Sequence, residues 1–151
     1  MNLIPNVRAL VVGEQRESLN ALQRRLEKLA IEVFTAGSYA ETAPALWSDS
    51  PPHIVFTESR LADGDWADVL ALAEKASLPV NVIVLAPFVD VGFYLQTIER
   101  GAFDFVVPPL SDSELLHVVR VAAENALSRR LRHPATGLAR ARSVAALRTG
   151  A

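Results

Sequence analysis

The chain holds 151 residues, 50% hydrophobic and 21% charged, which is enough apolar mass for one cored domain and a short extension but not for two. That composition excludes a disordered or fibrous chain, and zero cysteines exclude a disulfide framework, a Cys-ligated metal site and a thiol nucleophile. The net charge of −2 conceals a split: from Ser128 onward there are six arginines (Arg129, Arg130, Arg132, Arg140, Arg142, Arg148) and no acid, against nine basic and seventeen acidic residues before that point.

Short apolar runs rich in β-branched residues alternate with stretches of helical spacing. The first run, Val7 to Val12, predicts a strand, and Leu19, Leu22, Leu26 and Leu29 then fall on one face of a helix. Ile31 to Phe34 predicts the second strand. Ser38 with Glu41 makes a capping box for the second helix, which Pro44 should shorten. Ile54 to Phe56 is the third strand, followed by a helix from an Asp65 N-cap through Ala76. Val82 to Leu85 is the fourth, and its helix starts at Asp90 and stops at Arg100-Gly101. Phe103 to Val107 is the fifth strand. Ser111 with Glu114 then caps a helix carrying Leu115, Val118, Val119, Ala122 and Ala126.

Five βα units predict a flavodoxin-like α/β fold: a doubly wound five-stranded parallel sheet in the order 2-1-3-4-5, with helices on both faces. Residues 1–127 form the expected domain, and 128–151 are an Arg-rich extension that finishes the last helix and is then expected to be flexible. In such sheets ligand chemistry gathers beyond the carboxyl ends of the strands. There the sequence places Gly13-Glu14, Thr57-Glu58-Ser59, Ala86-Pro87 and Pro108-Pro109.

On these positions the stretches from Pro52 to Asp65 and from Gly101 to Leu110 resemble the receiver domain of bacterial two-component response regulators, a likeness covering roughly Val7 to Ala126. The resemblance implies an acidic pair after strand one that holds Mg²⁺, an acceptor aspartate after strand three, a hydroxyl after strand four and a Lys-Pro after strand five. This chain has Gly13 and Glu14 at the pair, Glu58 at the acceptor, Ala86 at the hydroxyl and Pro108 at the lysine; only Pro109 keeps the pattern. Phe105 falls at the family's switch aromatic and is expected to be buried, filling space left by Ala86. Glu58 is one methylene longer than aspartate. It either projects charge toward the volume a phosphoryl group would fill, or is a solvated carboxylate paired with Arg16 or Arg60. Glu14 and Glu58 are a thin ligand set for Mg²⁺, so no cofactor is expected.

His53, His117 and His133 lack ligand spacing, and there is neither a Gly-rich phosphate loop nor a nucleophile elbow, so an enzyme is not expected. Two kinds of partner stay open. The first is a protein or a second copy, met through the face of helix four, strand five and helix five, with Phe93, Tyr94, Arg100, Asp104, His117, Arg120 and Glu124 as candidates. The second is nucleic acid or an acidic membrane surface, met through the arginine tail, and a small ligand in the altered pocket is a further alternative. The longest apolar run, Val80 to Val89, is broken by Asn81 and Pro87, and Met1 to Asn6 do not read as a signal peptide, so a cytoplasmic location is expected.

Overall fold

The computed structural model describes residue 4 and residues 6–132; Arg140, Arg142, Arg148 and His133 lie outside them. Strands β1 (Arg8–Val12), β2 (Glu32–Ala36), β3 (Ile54–Glu58), β6 (Asn81–Leu85) and β7 (Asp104–Val106) form one parallel sheet in the order β2-β1-β3-β6-β7. This is the predicted order once a small antiparallel hairpin, β4 (Arg60–Leu61) with β5 (Gly64–Asp65), is set aside. The hairpin was not anticipated, because two-residue strands carry no periodicity.

Residue alternation along the strands divides the core in two. Ala9, Val11, Ile54, Phe56, Ile83 and Leu85 face α1 (Arg16–Glu27) and α5 (Asp112–Arg132), packing with Leu26, Leu115, Val119 and Ala122. Leu10, Val12, Val55, Val82 and Val84 face the other way, toward α2 (Tyr39–Leu46) and α3 (Trp66–Glu74), through Leu46, Trp66, Val69 and Leu70. β1, β3 and β6 are covered on both sides, which explains their nearly continuous apolar runs.

The helix boundaries follow their caps. Asp65 accepts from the N–H groups of Ala67 and Asp68, while the Asp68 carboxylate accepts from Asp65 N, closing a reciprocal box at α3. Asp90 accepts from Phe93 N at the start of α4 (Val91–Glu99), and Ser111 and Glu114 exchange the expected pair of bonds. At α2 the box is displaced by one residue: Ser38 accepts from Glu41 N, but Glu41 Oε1 accepts from Gly37 N. Asp63 in the hairpin supplies the remaining cap, accepting from Tyr39 N and Ala40 N, and these bonds hold its carboxyl below the usual carboxylate range. The stop after α4 is Gly101 at φ +110°, a conformation in which only glycine avoids a Cβ clash. No helix of the described residues is long and apolar enough to cross a membrane.

α5 continues through Arg132, and its end is fastened to the body. Arg130, 9% exposed, donates from Nε to Pro79 O at 2.9 Å and from Nη2 to Pro52 O at 2.7 Å and Pro51 O at 3.0 Å. Burial and the nearby Arg8 charge lower its pKa to about 10. Arg129 donates to Asn81 Oδ1 at 2.8 Å, and Asn81 in turn donates to Ala122 O and Asn125 Oδ1. Arg132 reaches Ser128 on its own helix. Of the six arginines in the C-terminal extension, Arg129 and Arg130 thus turn their guanidiniums to the body of the domain.

Candidate functional site

Beyond the carboxyl ends of β1, β3, β6 and β7 lies an open crevice of about 1280 Å³, whose lining includes Gln15, Glu58, Trp66, Ala86, Phe88 and Pro108. The topology brings Glu58, Ala86, Pro108 and Pro109 to this crevice, because β6 lies between β3 and β7, while Gly13 and Glu14 are not among its lining residues. Ala86 is buried and carries no polar side-chain atom; Pro108 and Pro109 are exposed and joined by a cis peptide bond. No hydroxyl or ammonium stands at those two positions to meet an anion.

Glu58 lines the crevice and, among the described residues, is not paired with Arg16 or Arg60. Its side chain folds back over β1, where Oε1 accepts from Glu14 N at 2.8 Å and Oε2 lies 3.4 Å from Gln15 N. The amides just ahead of α1 have no helical acceptor of their own, so they receive the carboxylate that the extra methylene delivers. Gly13 makes this possible. A Cβ at position 13 would lie 2.5 Å from Glu58 Cδ and 2.6 Å from both Cγ and Oε1. The missing side chain at 13 and the longer one at 58 are thus two halves of one spatial exchange. Glu14 points the opposite way, its Oε2 accepting from Ala62 N in the hairpin turn.

A divalent cation needs clustered oxygen ligands with free lone pairs. Gly13 offers no carboxylate, and both remaining carboxylates face N–H donors, so these residues do not fit Mg²⁺. Among the described residues no group of three or more His, Cys, Asp or Glu side chains gathers in a metal-holding arrangement.

Phe105 is half-buried and packs against the core on the α2 and α3 side of the sheet. Its ring stands edge-on to Phe93 at 5.2 Å between centroids and to Tyr94 at 5.7 Å, and Phe93 in turn meets Trp66 at 5.9 Å. Phe93 is thereby half-buried, packed against the core through these rings. Arg100 lies over the Trp66 ring at 5.7 Å. Tyr94, Arg100, His117, Arg120 and Glu124 are exposed, and Asp104 is partly buried with its carboxylate accepting from Phe105 N.

His53 belongs to structure. It is 4% exposed, and its Nδ1 accepts from Arg8 N at 3.0 Å. Burial first, then the charges of Arg130 and Arg8, lower its pKa to about 4, so the ring is neutral at pH 7.

No protein-family model matches the chain. Among curated proteins it is 25% identical over 116 residues to the photosynthetic apparatus regulatory protein RegA of Cereibacter sphaeroides, covering 77% of this chain and 62% of that one. It is 31% identical over 113 residues to the transcriptional regulatory protein KdpE of Mycobacterium tuberculosis, covering 75% and 49%. A receiver domain of a LuxO repressor protein from Vibrio parahaemolyticus superposes with a TM-score of 0.75 at 20% identity, covering 84% of this chain and 97% of that domain. The chain carries a response-regulator receiver domain. It spans about half to three fifths of the length of those two curated relatives.

Proposed function

We propose that this receiver domain works in two-component signalling without aspartyl phosphorylation and acts by protein contact. The observation that carries the reading is the position of Glu58. Its carboxylate is spent on the amides of Glu14 and Gln15, and Ala86 and Pro108 provide nothing to bind a phosphoryl group. Position 86 offers no hydroxyl and position 108 no ammonium, while apolar side chains stand exposed on and before α4: Val89, Val91, Tyr94 and Leu95, with Arg100 at its end. A group of this kind suits a protein interface. A role for the arginine tail on nucleic acid is less supported, since Arg129 and Arg130 are engaged with Asn81 and the proline carbonyls.

Sedimentation velocity across a concentration series, with Tyr94→Ala and Arg100→Glu beside wild type, tests the contact surface. Self-association weakened at least about tenfold by either change is expected, the effect of losing ~1.4 kcal/mol at an interface. Association indifferent to both, or a protein monomeric throughout, refutes self-association through this face.

A further inference from the structure

We propose that Gly13, Glu14 and Glu58 form a crossed carboxylate strap that joins the loops around the pocket with no cation. The two acids sit on the two segments to be joined, and each binds the backbone of the segment that carries the other. Glu58, at the end of β3, accepts from Glu14 N and Gln15 N between β1 and α1. Glu14, between β1 and α1, accepts from Ala62 N in the hairpin that follows β3. The bonds thus run in both directions across the mouth of the sheet. A divalent ion would join the same segments through carboxylate oxygens; here backbone N–H groups take its place as the positive partner.

Gly13 is the third member, because the Glu58 side chain lies where any Cβ at 13 would be, and the clash of 2.5 Å is with the carboxyl carbon itself. The strap has two physical consequences. The pocket loops hold one arrangement whether or not Mg²⁺ is present, and lengthening residue 13 or shortening residue 58 disrupts the same contact.

The inference rests on the proposed phosphorylation-independent reading for its place in function, but its test is independent of any phosphodonor. Thermal unfolding is measured for wild type, Gly13→Ala, Glu58→Ala and the double variant. Gly13→Ala should lower Tm by roughly 2–4 °C, the response of a domain of this size to losing about 1 kcal/mol as Glu58 is pushed off the amides of Glu14 and Gln15. In the Glu58→Ala background the same change should shift Tm by less than about 2 °C, because the obstructing side chain is gone. Equal losses in both backgrounds, or no loss in either, overturn the strap. Amide exchange by NMR supplies a second readout on folded protein. Glu58→Ala should speed exchange at Glu14 and Gln15, and Glu14→Ala should speed it at Ala62; unchanged exchange at all three contradicts the proposal. A chain that accepts phosphate yet keeps this coupling would refute the phosphorylation-independent reading and leave the strap standing.

Discussion

Replacing Arg130 by methionine keeps the length and apolar stem of the side chain and removes only the guanidinium. Three bonds disappear, to Pro79 O, Pro52 O and Pro51 O. Pro51 O keeps a partner in Arg8 Nη2 at 3.1 Å, so the net loss falls on the carbonyls of Pro52 and Pro79. A buried carbonyl left without a partner costs ~1–3 kcal/mol. Removing a desolvated cation next to Arg8 returns part of that, because the charge has no carboxylate partner among the described residues and its pKa is already lowered to about 10. The expected net destabilisation is about 2–4 kcal/mol, read as a lower urea midpoint with an unchanged slope. Arg130→Lys should fall between the two proteins, since an ammonium reaches fewer of the three carbonyls than the planar fork. The same argument predicts that truncation after Leu127 destabilises the body. A midpoint for Arg130→Met within about 0.5 kcal/mol of wild type would refute the anchoring and return Arg130 to the surface tail.

Two further predictions concern His53 and Asp65. The folded-state pKa of His53, about 4, lies below its ordinary value of 6.5, so the stability its neutral ring contributes is complete above pH 6.5 and is lost as pH falls toward 4. Urea midpoints of wild type and His53→Asn, which keeps an acceptor for Arg8 N, should converge across that window at up to ~1.4 kcal/mol per pH unit; parallel pH profiles would contradict the assignment. Asp65→Ala removes both cap bonds at the start of α3 and should cost about 1 kcal/mol in equilibrium unfolding, whereas Asp65→Asn should recover most of it. An alanine variant as stable as wild type would remove the cap from the account of this helix.

Local signals made most of the fold legible. Asp65, Asp90, Ser38 and Ser111 each precede a helix and each caps it, because a cap is decided within four residues of chain. The strand order follows from right-handed crossovers between runs that are apolar on both faces. The residues just past each strand could be named from the chain, and Glu58, Ala86, Pro108 and Pro109 among them line the crevice. The direction of Glu58 was not legible, because it depends on empty space above Gly13, forty-five positions away in sequence. One missing side chain matched by one lengthened side chain is the signal that points to it. Arg130 was read as tail because it stands among arginines. Its spacing says otherwise: Leu115, Val119, Ala122, Ala126 and Arg130 follow one helical stripe, and that stripe is buried throughout. The ring partners of Phe93 and Phe105 were not legible, since an aromatic near a surface helix packs on whichever neighbouring ring the sheet brings close, here Trp66 and Tyr94.

The central claim is that the pocket does not accept a phosphoryl group. Intact-mass spectrometry of the wild-type chain after incubation with Mg²⁺ and a small-molecule phosphodonor tests it most directly. The Glu58 carboxylate bound to Glu14 N and Gln15 N, with Ala86 and Pro108 beside it, predicts an unmodified mass. A labile phosphoryl adduct, mapped to Glu58 or to any residue of the crevice, would contradict the account.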